Sequence, residues 1–266
     1  LFREGDVSDH VYLVVNGRLR VVTKDPDGRE RVLEEVGRGS AVGEVALLTG
    51  EPRAASVLAV RDTYLLRLAK ADFDQLLDRY PRAMMQVARA AVWRLRRAAQ
   101  HTVNRASPPS TFALLPASPD VPLTEFARRL SETLRSFHGT RWLTSHDVDR
   151  ILGKPGIAQS GEDTVVHESM VAWLAEQERE RGSLVLEADP GWTAWTRRCV
   201  MQADRVLLVA RAGDDTAPGE VERAFASLNL PVRTELVLLQ PDTTLQPTGT
   251  LGWLTARSVA AHHHVR

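Results

Sequence analysis

The chain has 266 residues, enough for two ordinary domains that each bury a core of their own. Its 34 lysines and arginines balance 34 aspartates and glutamates, so no global electrostatic case exists for nucleic acid or for an anionic membrane. The single cysteine, Cys199, excludes an intrachain disulfide, fits a reducing compartment and reads as a small core residue rather than a nucleophile. No run approaches the roughly 18 consecutive apolar residues of a membrane span, and the N-terminus lacks the order of a signal peptide, so a cytoplasmic protein is expected.

In chain order, Leu1 to Asp6 lacks a methionine and already lies inside a strand pattern, which suggests a piece of something longer. Alternating runs at Val11 to Val15, Leu19 to Val22 and Val57 to Val60 follow. They are punctuated by Asp25-Pro26-Asp27-Gly28 and Gly37-Arg38-Gly39, the spacing of a small antiparallel barrel. The stretch Gly43 to Val57 breaks this alternation. Gly43 and Gly50 allow a tight backbone, and a helical turn over Glu44 to Leu48 would present the N–H groups of Ala46 and Leu47 to a phosphate. Arg53 supplies a countercharge whose planar fork suits two phosphate oxygens. Glu44, acceptor-only when ionised, suits a ribose 2'-hydroxyl, so phosphate and ribose are read together. The plain alternative is a Glu44–Arg53 pair across a surface loop, worth about 0 to 1 kcal/mol.

This run resembles the phosphate-binding cassette of the cyclic-nucleotide-binding domains in cAMP-dependent kinases and bacterial catabolite regulators. Glu4-Gly5-Asp6 and Asp9 to Gly17 resemble the strand, turn and strand that open that family's jelly roll. The resemblance implies that Glu44 binds the ribose hydroxyl and Arg53 the cyclic phosphate, with Gly43, Ala46 and Ala55 completing the ligand-binding set. Ala54, at the position that helps set base preference, follows the cAMP-preferring pattern rather than the cGMP one. A regulatory cAMP is thus expected and no other cofactor.

Helical periodicity follows over Ala71 to Tyr80 and Pro81 to Gln100. Trp93 is the candidate lid over the base, against ordinary packing, and Arg89, Arg94, Arg96 and Arg97 form a basic face that suits solvent, a partner or anionic lipid. Ser107-Pro108-Pro109-Ser110 marks a linker. The expected layout is a cyclic-nucleotide-binding domain over 1–106, a linker over 107–110 and an α/β domain over 111–266.

Strands then alternate with helices: Thr111 to Leu115, Leu123 to Phe137, Val171 to Arg181, Leu184 to Glu187, Ala194 to Met201, Arg205 to Val209, Glu220 to Leu228 and Glu235 to Leu239. This pattern predicts a doubly wound, mostly parallel sheet, Rossmann-like or P-loop-like. A Walker loop is missing: Pro116 to Pro122 has no glycine or lysine, and Gly153-Lys154 is followed by Pro155. A scaffold is expected. No serine has glycines at both flanking positions of a hydrolase elbow, and His167-Glu168 lacks a second histidine four residues on. His262-His263-His264 alternate sides on an extended chain and do not make a shared metal site. No catalytic or metal-binding residue is therefore assigned.

Leu114-Leu115-Pro116, Gly156-Ile157-Ala158-Gln159, Glu187-Ala188-Asp189-Pro190, Gln202 to Val209 and His262 to Arg266 resemble the region between the cyclic-nucleotide-binding and patatin domains of neuropathy-target-esterase-like phospholipases. The resemblance implies a downstream patatin domain, with a Ser-Asp dyad that hydrolyses lysophospholipid esters, and a membrane-associated parent; no nucleic acid partner is expected. The alternatives are a cAMP-responsive transcription regulator, whose recognition helix would fall near Thr144 to Ile157 but is interrupted by Gly153 and Pro155, or a non-binding sensor used for protein contacts.

Overall fold

The computed structural model describes residues 1–24, 28–80, 85, 92, 111–137, 139–161 and 165–266. The linker, Trp93 and most of the expected helix over Pro81 to Gln100, with its arginines, lie outside the described residues. The chain divides into two compact units, Leu1–Pro108 and Pro109–Arg266.

The first unit contains β1 (His10–Asn16), β2 (Arg18–Lys24), β3 (Glu30–Gly37), β4 (Ala41–Val42), α1 (Glu44–Thr49), β5 (Ser56–Ala59), β6 (Tyr64–Ala69) and α2 (Lys70–Arg79). Its strands form two antiparallel sheets ordered β4-β1-β6 and β3-β2-β5. Val14, Leu19, Val36, Val42 and Val57 build the core, one inward residue from each of five strands, as period-2 alternation allows. A second small cluster of Val11, Leu47 and Phe73 seats α1 and α2 on β1, and Lys70 Nζ donates to the Leu47 carbonyl at 3.0 Å. The β2–β3 ladder slips once: Val21 pairs with Glu34 but Val22 with Val32, so Leu33 is an extra residue, a bulge.

The second unit runs β7 (Thr111–Pro116), α3 (Leu123–Arg135), β8 (Thr140–Leu143), α4 (Ser145–Leu152), a short 3-10 turn (Ile157–Gln159), α5 (Val165–Arg181), β9 (Ser183–Glu187), α6 (Ala194–Gln202), β10 (Arg205–Arg211), α7 (Glu220–Ser227), β11 (Arg233–Leu239), α8 (Thr250–Thr255) and β12 (Ala261–Val265). The sheet order is β12-β11-β10-β7-β9-β8, and every pairing is parallel. The chain enters at β7, runs to the edge at β8, returns to place β9 between them, then crosses over to build β10 to β12, which is the doubly wound arrangement.

Helices cover both faces. Leu123 and Ala127 of α3 pack on Leu114, Val185, Leu207 and Val237. The opposite face is larger and holds Trp195, Cys199, Phe225 and Trp253. Cys199 is fully buried and its thiol is pushed well above its ordinary value by that burial, as suits a core residue. α4 begins with a reciprocal capping box between Thr144 and Asp147 and stops at Gly153, whose φ of 64° is left-handed. β8 and β12 were not expected from the sequence, and α5 starts at Val165, ahead of the expected Val171. No helix among the described residues is long and apolar enough to cross a membrane.

Candidate functional site

The cassette folds around one glycine. Gly43 is the N-cap of α1 at φ 87°, a left-handed conformation that β-carbons disfavour, and a β-carbon there would collide with the Arg53 guanidinium. Starting α1 at Glu44 places Glu44, Val45 and Ala46 ahead of the first intrahelical hydrogen bond. Leu47 is the fourth helical residue, the position whose N–H turns to the N-cap carbonyl in a regular helix, which leaves Ala46 as the donor better placed for a ligand. Glu44 sits in the first turn, where the helix dipole favours a carboxylate, and is 1% exposed.

Arg53 is 4% exposed. Its Nη1 donates to the Gly43 carbonyl at 2.9 Å and its Nη2 to the His10 carbonyl at 2.6 Å, while the guanidinium lies 4.1 Å from the centre of the Phe2 ring. Burial pulls its pKa below the ordinary arginine value, opposed by nearby Tyr12, Asp9, Asp6 and Glu44. The fork is thus partly committed to backbone. A guanidinium has five N–H donors, and two are used here. The Nε–H is buried without a hydrogen-bond partner, a costly state for a polar group inside a protein and one that an anion relieves.

Gly43, Glu44, Ala46, Arg53, Ala54 and Ala55 all line one cavity of about 130 Å³. Both charged members are buried, which excludes the surface-loop ion pair. Small side chains at 54 and 55 leave the volume open. Sequence reasoning missed the part of the wall made by Phe2, under the arginine, and by Val21, Leu33 and Glu34 from the bulged β2–β3 ladder. The pattern of β3, with its glutamates at three positions, does not announce them.

In the α/β unit, the loop after β7 leads into α3 where a phosphate loop would lie, and this end of the sheet is filled by its own side chains. Glu187, at the end of β9, accepts from Thr124 Oγ1 of α3 and, at 2.8 Å, from Trp142 Nε1 of β8. Asp189 accepts from Ser145, Gln159 and Thr193 at 2.7, 2.8 and 2.7 Å. Burial holds the Glu187 carboxyl above the usual glutamate range, against the lowering effect of these two hydrogen bonds. The folded protein therefore keeps that proton to higher pH than the unfolded chain, so stability falls as pH rises from the usual glutamate range through the raised value. Glu187→Gln is expected to remove this fall. Thermal melts from about pH 4 to 8 should show the two proteins separating toward neutrality in favour of the glutamine, and parallel curves would contradict it.

At β12, His263 contacts Glu235 at 2.8 Å while His262 and His264 share the other side, with ring centroids 5.7 Å apart. Among the described residues no group of three or more histidine, cysteine or acidic side chains is placed to hold a metal.

Residues 109–266 match the model of the Neuropathy Target Esterase family P-loop like domain, and residues 1–80 match that of the cyclic nucleotide-binding domain. The chain is 34% identical over 279 residues to neuropathy target esterase sws of Drosophila ananassae, across 100% of this chain and 18% of that protein. It is 34% identical over 281 residues to patatin-like phospholipase domain-containing protein 7 of Mus musculus, across 99% and 20%. Over 276 residues it is 34% identical to lysophospholipase NTE1 of Cryptococcus neoformans var. neoformans, across 100% and 17%. The chain thus spans about a fifth of the length of these relatives. A match that runs through both units favours this architecture over the transcription-regulator alternative. With the α/β unit matched by the family's own model and the whole chain aligned to its members, this protein belongs to the neuropathy target esterase family.

Proposed function

We propose that the first unit binds a cyclic nucleotide, cAMP in preference to cGMP, and that the chain is the regulatory part of a patatin-like lysophospholipase whose catalytic serine lies outside these residues. The observation that carries the nucleotide reading is the buried, unpartnered Nε–H of Arg53 on the wall of a cavity that Glu44 also lines. Arg53 takes the cyclic phosphate with its remaining N–H donors, assisted by the N–H of Ala46, and Glu44 accepts the ribose 2'-hydroxyl. The lysophospholipid substrate comes from the names of the relatives and belongs to the full-length protein. The α/β unit serves as scaffold, consistent with Glu187 and Asp189 closing the end of its sheet. Nucleotide binding biases the enzyme only to the extent that the ligand prefers one arrangement of the parent over another.

Calorimetric titration of cAMP and cGMP into the chain tests this reading, with Arg53→Ala and Glu44→Gln as controls. Saturable binding is expected, weakened about 10- to 150-fold by Arg53→Ala, the factor for losing a charged hydrogen bond worth about 1.5 to 3 kcal/mol. Binding that neither substitution changes, or no saturable binding, would overturn the sensor role.

A further inference from the structure

The cavity carries three charged side chains, Glu44 and Arg53 from the cassette side and Glu34 from the strand side; the rest of its wall is apolar or glycine. Glu34 reaches it because of the bulge. In a regular strand, successive side chains point to opposite faces, yet Leu33 and Glu34 both line the cavity beside Val21, the residue paired with Glu34 across the ladder. With phosphate and ribose held at Arg53 and Glu44, the nucleobase lies toward this opposite wall. Val21 and Leu33 suit its faces, and Glu34 is the one polar side chain there that can meet its edge.

We propose that Glu34 is the base-reading residue and selects adenine through its 6-amino group. An ionised carboxylate only accepts hydrogen bonds, and about four lone-pair sites leave room for a ligand N–H beside the contact Glu34 already makes. With the base turned so that its N7 edge meets Glu34, adenine presents N6–H₂ next to N7, whereas guanine presents there only the acceptors O6 and N7 and is repelled. An alanine methyl at Ala54 hydrogen-bonds nothing and acts by leaving room; Glu34 supplies the attractive half of the choice. This inference rests on the nucleotide reading above.

The test is titration of the 266-residue chain with cAMP, cGMP and cyclic IMP, which replaces the 6-amino group by an oxygen. The wild type is expected to bind cAMP about 10- to 100-fold more tightly than either of the others. Glu34→Gln, of the same shape but able to donate as well as accept, should shrink that ratio to within about threefold. Glu34→Arg, which can donate to O6 and N7, should turn the preference toward cGMP. Arg53-dependent binding with a ranking that both Glu34 variants leave unchanged overturns the base reading alone, as does a wild-type preference for cGMP. Absence of Arg53-dependent binding for all three nucleotides overturns the nucleotide reading and this inference together.

Discussion

Gly43→Ala is expected to destabilise the first unit by about 3 to 5 kcal/mol and to abolish nucleotide binding. Two effects add. An alanine at φ 87° carries about 1 to 2 kcal/mol of left-handed strain, and its methyl occupies the position of the Arg53 guanidinium. Displacing that group strips the Gly43 and His10 carbonyls of a buried donor, which at the lower end of the cost of an unsatisfied group is about 2 to 3 kcal/mol for the two together. Urea denaturation of the chain measures the sum, and a loss below about 1 kcal/mol would contradict the geometry. In the double variant Gly43→Ala/Arg53→Ala the collision is gone, so its loss should fall short of the sum of the single losses by about 1 to 3 kcal/mol.

Glu222→Ala should be equally damaging to the second unit. Arg257 and Glu222 are 4% and 6% exposed and paired twice, Nε to Oε1 at 2.6 Å and Nη2 to Oε2 at 3.1 Å. The same guanidinium donates to the Trp253 carbonyl at 2.7 Å and the Thr216 carbonyl at 3.0 Å, and lies 4.7 Å from the centre of the Trp253 ring. It therefore ties the end of α8 to α7 and to the loop after β10. Removing the carboxylate leaves a cation buried without its counterion, at a loss of about 3 to 5 kcal/mol. Replacing both partners with well-packed apolar residues, as in Glu222→Leu/Arg257→Met, should restore most of it. Tryptophan fluorescence follows this unfolding, since Trp142, Trp173, Trp192, Trp195 and Trp253 all lie in the second unit.

The cassette could be read from sequence because each of its roles demands a particular residue type: glycine where φ is positive, arginine where an anion is held, glutamate where a hydroxyl donates. Its opposite wall could not. Val21 and Leu33 look like any strand residues, and which of them faces a cavity depends on a one-residue slip that alternation does not announce. The strongly apolar strands β7, β9, β10 and β11 were recognisable because burial on both faces leaves an unbroken hydrophobic run. β12 escaped notice because it is an edge strand with three exposed histidines, and β8 because it is an edge strand of only four residues. β3 carries three glutamates and an arginine and declares no inner face. The side chains that close the end of the α/β sheet are scattered from Thr124 to Thr193, so only the fold brings them together.

Arg53 joins β1 to the N-terminus of α1 through two backbone carbonyls, and it does so before any ligand arrives. Natural selection for a folded barrel alone therefore preserves it. A descendant that had ceased to bind nucleotides would still carry the arginine, and with it Gly43, whose bare α-carbon makes room for the guanidinium. Among relatives, retention of this pair records ancestry. Selection for base reading acts instead on Glu34, so its drift across a lineage is the better record of which branches still respond to a signal.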